Sequence, residues 1–160
     1  MRMSKTIRIG AKVSKKGRPK IAEPPKQKWG AVAAEDPDAY LTKTPAWAFS
    51  RCDREKWALN ECGNLYKSVI EKLGSFEGMT WAEIMAQSGG RSHGTNSHFE
   101  NVYDLKKEAQ KRLQELHLDD LDQVFSLRLS GTERLYGILN DRILRIIWYD
   151  PNHEIYPMAN

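Results

Sequence analysis

The sequence predicts an α+β protein in which an N-terminal short strand or hairpin and three helices precede a three-stranded antiparallel sheet. Three observations carry that prediction. Apolar residues recur at helical spacing between positions 65 and 116, which places helices in the middle of the chain. The last forty residues instead alternate apolar with polar side chains, and Asn140-Asp141 separates two of those runs as a two-residue hairpin turn would. Helices that come before a meander, rather than alternating with its strands, are the order of helices packed on one face of an antiparallel sheet.

Charge divides the chain before any element is assigned. Residues 1–28 hold ten basic side chains, including Lys12, Lys15, Lys16, Arg18 and Lys20, against the single acid Glu23, a balance of +9. The remaining 132 residues hold 15 basic and 20 acidic groups, a balance of −5. With Gly10, Gly17, Pro19, Pro24 and Pro25 and no sustained apolar period, residues 1–28 are expected to form a flexible basic arm. Residues 29–44 read as a connector and residues 45–160 as one α+β domain.

Within that domain, Trp47, Phe49 and Arg51 alternate with small residues and predict a short strand. Asp53-Arg54-Glu55-Lys56 suits a turn, and Trp57-Ala58-Leu59 a return strand. Asn60 or Asn64 can cap a helix bearing Leu65, Tyr66, Val69, Ile70 and Leu73. Thr80-Trp81-Ala82-Glu83 is a capping box, in which the Thr hydroxyl and the Glu carboxylate each accept a backbone N–H that the first helical turn leaves unpaired. After the polar loop from Gly89 to His98, Val102, Leu105, Ala109, Leu113 and Leu116 form one helical stripe. Strands are then expected over residues 124–129, 134–139 and 142–149.

Composition narrows the function classes. No run of 18 apolar residues occurs, and the basic N-terminus lacks the apolar core of a secretory signal, so a cytoplasmic protein without a membrane partner is expected. Cys52 and Cys62 make no secreted disulfide framework and no CxxC pair. Neither a GxGxxG, a Walker loop, a GxSxG nor an HExxH occurs, and the spacing of His93 and His98 lacks the companions of a metal site. Neither a cofactor nor a metal is therefore expected. The arm suits a polyanion, because each Lys or Arg set on a phosphate releases counterions and adds salt-sensitive affinity. Lys16-Gly17-Arg18-Pro19-Lys20 resembles the Gly-Arg-Pro core of an AT-hook, which makes DNA a possible partner of the arm.

The sheet is where chemistry is expected. Arg134 and Tyr136 share a face of the middle strand, Arg128 and Arg145 add cations on its neighbours, and His153 and Tyr156 follow the last strand. Arginines clamp phosphates, His moves protons near neutral pH, and Tyr stacks a base or offers a hydroxyl. Such parts suit metal-free cleavage of RNA, which needs a base for the 2′-OH, cations on the phosphate and an acid for the leaving 5′-oxygen. Arginines that alternate with apolar residues are equally what a half-solvated sheet contains, and the residues alone leave both readings open.

The stretch from Phe125 to Tyr136, the Asn140-Asp141 turn, the strand Arg142–Tyr149 and the terminal His153-Glu154-Ile155-Tyr156 resemble the C-terminal half of the RelE/ParE superfamily of toxins. The resemblance spans about 32 residues, and the basic arm and the extra capped helix are additions to the family's pattern. It implies a RelE-like sheet and a toxin acting on RNA, with the ribosome and an antitoxin protein as expected partners. Position by position, it makes Arg128 and Arg134 ligands of the scissile phosphate. His153 and Tyr156 become the terminal residues that assist proton transfer and base stacking, giving a metal-independent endoribonuclease. The alternative is a non-catalytic nucleic-acid-binding or inhibitory module that works through the arm alone.

Overall fold

A computed structural model describes residues 36–87 and 96–157. The basic arm, with Lys12, Lys15, Lys16, Arg18 and Lys20, lies outside the described residues, as does most of the polar loop between Gly89 and His98.

Five strands form one mixed sheet: β1 (Ala46–Ala48), β2 (His98–Asn101), β3 (Gln123–Arg128), β4 (Arg134–Asn140) and β5 (Ile143–Asp150). Their spatial order is β1-β5-β4-β3-β2. The three expected strands are its centre, and the expected three-stranded sheet is corrected by one extra strand on each side. Strand β1 runs parallel to β5, with Trp47 opposite Leu144. Strand β2 runs antiparallel to β3, with His98 opposite Ser126.

The expected N-terminal hairpin does not form. Trp57 adopts φ 45°, a left-handed conformation rare for a bulky residue, and Leu59–Glu61 is a 3₁₀ turn. The segment instead continues beside β5 past the end of β1. The Asp53 N–H donates to Ile147 O at 2.8 Å, and the Tyr149 N–H donates to Trp57 O at 2.7 Å.

Among the described residues there are three α-helices: α1 (Glu71–Phe76), α2 (Trp81–Ala86) and α3 (Lys107–Glu115). The chain enters α1 through a wide i→i+5 turn, Tyr66–Ile70, begun by Asn64, whose side-chain oxygen accepts the Lys67 N–H at 3.0 Å. The capping box opens α2 as the sequence requires: Thr80 Oγ1 accepts the Glu83 N–H, and Glu83 Oε2 accepts the Thr80 N–H at 2.7 Å. On α3 the stripe buries Ala109 and Leu113. Leu105, just before the helix, is buried with them.

Helices cover both faces of the sheet, not one. Val69, Leu73, Phe76, Trp81 and Ile84 pack on Phe125, Leu127, Leu135, Leu144 and Ile146. On the other face Leu105, Ala109, Leu113 and Ile155 pack on Val124, Tyr136, Ile138, Ile147 and Trp148. A β-bulge makes the second cluster possible. Tyr136 faces Trp148 while Gly137 faces Ile146, so Ile147 is the extra residue, and Ile147 and Trp148 both join the α3 side. Gly137 is required there, because a Cβ would lie 2.3 Å from Arg145 O.

Candidate functional site

Strand register brings the predicted sheet residues into two rows on the α3 face. In the first, His98 lies opposite Ser126, Ser126 opposite Tyr136, and Tyr136 opposite Trp148. In the second, two residues further along each strand, Arg128 lies opposite Arg134 and Arg134 opposite Asp150. Directly paired residues project from the same face, so the two arginines stand side by side.

One carbonyl holds them together. Ser130 O accepts from Arg128 Nε at 2.9 Å and from Arg134 Nη1 at 2.8 Å. Arg134 Nη1 also donates to Glu133 O at 3.0 Å, so the turn between β3 and β4 wraps its backbone oxygens around the guanidinium. Arg134 is 3% exposed, whereas Arg128 is half-buried. Burial, and then the charge of Arg128, push the Arg134 guanidinium below its ordinary pKa.

The nearby carboxylates are occupied elsewhere. Asp150 accepts the N–H groups of Asn152 at 3.2 Å and Ile155 at 2.8 Å, which fixes the chain after β5. Glu133 accepts from the Tyr149 hydroxyl at 2.6 Å and from Ser130 Oγ at 2.7 Å. Neither Arg128 nor Arg134 forms a salt bridge among the described residues. Among the described residues these two adjacent cations are bound by neutral carbonyls, an arrangement an anion would complete.

Polar groups of the first row border the pair. The Tyr136 side chain is fully buried, with Ser126 directly across from it on β3. Burial raises its pKa, so it remains a neutral hydroxyl. His98 Nε2 lies 2.5 Å from Glu100 Oε1, and its Nδ1 lies 2.5 Å from Asn96 O. The Glu100 carboxylate raises the His98 pKa, which favours an imidazolium that donates from both nitrogens.

The terminal residues are placed less centrally. Asp150 and the Lys106 N–H, which donates to Ile155 O at 2.9 Å, dock the last segment on the start of α3. Tyr156 packs on the α3-side core, and the negative charge of Glu100, ahead of burial and Asp104, raises its pKa. His153 sits at φ 57°, and its buried Nδ1 has no partner among the described residues. The structure thus brings Arg128 and Arg134 together and packs Tyr156 on the α3-side core, while His153 bonds neither arginine.

Sequence reasoning missed His98 and Glu100 as members of the site. Their spacing of two, shared with Ser126–Arg128 and Arg134–Tyr136, was the available signal, but only one apolar residue, Phe99, lies between them. Among the described residues no group of three His, Cys, Asp or Glu side chains is placed to hold a metal, and no helix is long and apolar enough to cross a membrane. No family model, curated protein or solved structure matches the chain.

Proposed function

We propose that the protein acts on RNA as a RelE-like toxin, cleaving it as a metal-independent endoribonuclease at the arginine pair. The carrying observation is that Arg128 and Arg134 lie abreast, tied by Ser130 O, with both neighbouring carboxylates engaged elsewhere. Arg128, the more exposed of the two, receives the phosphate, and Arg134 reinforces its charge from below. Tyr136, two residues along β4 on the same face, adds a buried hydroxyl to the surroundings of the pair.

Cleavage then follows the chemistry of the 2′-OH. That oxygen attacks the adjacent phosphorus, its proton passes to a base, and the P–O5′ bond breaks as the 5′-oxygen takes a proton. The products are a 2′,3′-cyclic phosphate and a 5′-hydroxyl. The candidate proton-handling groups are the His98–Glu100 pair of this face and, after β5, His153 with an unpartnered ring nitrogen. Tyr156 is the residue suited to stack or orient a base. The basic arm would add affinity for RNA, or seat an acidic antitoxin.

The test is incubation of the full chain with end-labelled RNA in the presence of a chelator, followed by mapping of the new ends. Cyclic-phosphate ends that fall by about 10²–10³-fold in Arg128→Ala support the reading. RNA binding that depends on Arg128 without new ends would leave a non-catalytic binding module. Absence of both binding and cleavage would overturn the proposal.

A further inference from the structure

Arg128 also borders a cleft on the other side of the β3–β4 connection. The cleft measures about 430 Å³ and lies between α1, the end of α2 and that connection. Lys72 of α1 and Arg128 are its charged residues, and no carboxylate lines it among the described residues. Ile84 and Leu129, 1% and 5% exposed, give it an apolar floor, while Gln87, Ser97 and Ser130 give polar edges.

A second cleft of nearly the same size provides the contrast. It measures about 410 Å³, lies beside the start of α3, and carries Glu55, Glu61, Glu108 and Glu154 against Lys56 and Lys106. Residues 29–160 hold five more acids than bases. Among the described residues, a cleft with two cations and no acid stands out against that balance, and its field favours an anion.

Its volume and lining specify the anion further. The cleft falls within the roughly 300–1,000 Å³ usual for small-molecule sites, more than a lone phosphate fills. The remaining space is bounded by the apolar floor and by an amide free to exchange partners. Gln87 Nε2 donates to Met79 Sδ at 3.5 Å, a weak acceptor that a base edge would replace at little cost. Lys72 Nζ rests 5.2 Å from the centre of the Phe76 ring, which holds the cation at the rim.

We infer that this cleft is a nucleotide subsite, in which Arg128 and Lys72 hold the phosphate, Ile84 and Leu129 support the base, and Gln87 hydrogen-bonds its edge. The inference deepens the RNA reading and rests on it for the role of Arg128. It places one nucleotide of the substrate across the β3–β4 connection from the α3 face, with Arg128 at the boundary between the two.

Isothermal titration calorimetry of the full chain with adenosine 3′-monophosphate, ribose 5-phosphate and inorganic phosphate tests it. The nucleotide should bind at least tenfold more tightly than either fragment. Lys72→Met, which retains the aliphatic stem over Phe76, should weaken all three ligands by about tenfold, as loss of one charge-assisted contact does. Gln87→Ala should weaken only the nucleotide. Equal affinity for nucleotide and ribose 5-phosphate, or no effect of either substitution in proteins with unchanged circular dichroism, overturns the subsite. RNA cleavage without mononucleotide binding removes the subsite alone. Mononucleotide binding with the expected variant effects, but without RNA cleavage, keeps the subsite and removes the nuclease.

Discussion

Asp53 and Arg112, 59 residues apart, are joined by two hydrogen bonds, Arg112 Nε to Oδ2 at 2.7 Å and Nη2 to Oδ1 at 2.8 Å. Asp53 Oδ2 also accepts from Trp148 Nε1 at 3.1 Å, and Oδ1 accepts the Glu55 N–H at 2.9 Å. One carboxylate therefore ties the segment after β1 to α3 and to the bulged part of β5. Its side chain is 1% exposed and that of Arg112 13%, so loss of either partner leaves a buried charge.

Arg112→Met is expected to destabilise the fold by about 3–5 kcal/mol, the usual cost of breaking a buried pair. Urea unfolding followed by tryptophan fluorescence measures it. The same pair sets an acid limit. Burial raises the Asp53 pKa, but the Arg112 guanidinium and the backbone and Trp148 donors outweigh it and hold the carboxyl well below its usual range. A depressed folded pKa means that this stabilisation is complete above the unfolded value of about 4 and is lost as pH falls through the folded value. Asp53→Asn should therefore flatten the decline of stability below pH 4, in addition to lowering stability at neutral pH.

The two arginines should separate binding from folding. Arg128→Ala is expected to leave the melting temperature nearly unchanged, to weaken RNA binding and to reduce the salt slope by about 1, as removal of one phosphate contact does. Arg134→Ala strips the turn carbonyls of Ser130 and Glu133 of their donor and should cost about 2 kcal/mol of stability. Thermal melts beside filter binding at two salt concentrations read both. A melt lowered equally by both substitutions would show that Arg128 is structural as well.

His98 should titrate above the usual histidine range. Glu100 is the largest cause of its raised pKa, so its contribution to stability is complete below the unfolded value and is lost as pH rises through the folded one. An NMR titration of the ring protons in the wild type and in Glu100→Gln checks the sign. The substitution should lower the His98 pKa, and an unchanged midpoint would remove Glu100 as the cause.

Gly137→Ala should destabilise strongly, because the added methyl meets the Arg145 backbone oxygen rather than a mobile side chain. The expected cost is at least about 1–3 kcal/mol, as for other overpacked positions. A stable variant would mean that the bulge can shift along β5.

The parts legible in the sequence were those governed by local chemistry. Thr80 and Glu83 announce α2 because both capping bonds close within four residues. Asn140-Asp141 signals the hairpin one residue early: Asn140 still pairs with Ile143 in the ladder, and the two turn residues are Asp141, at a left-handed φ of 50°, and Arg142. Strand β2 was hidden because it is short and lies at the sheet edge, so pairing with β3 rather than apolar alternation defines it. Trp57-Ala58-Leu59 carried the composition of a strand, but the left-handed Trp57 stacks edge-on against Trp148 at 5.3 Å, a contact with no local signature. At the site, the face shared by Arg134 and Tyr136 followed from a spacing of two. The burial of Arg134 did not, since it depends on a turn folding back over the side chain.

That turn has a consequence for recognition. Because Ser130 O gathers the two guanidinium groups during folding, the repulsion between them is already overcome in the empty protein. An anion arriving there finds its donors ordered, loses little affinity to rearrangement of the receptor, and relieves a strain that the fold carries alone. Such a site reports its own occupancy: the chain should melt higher in phosphate than in chloride at equal ionic strength, and the difference should vanish with Arg128.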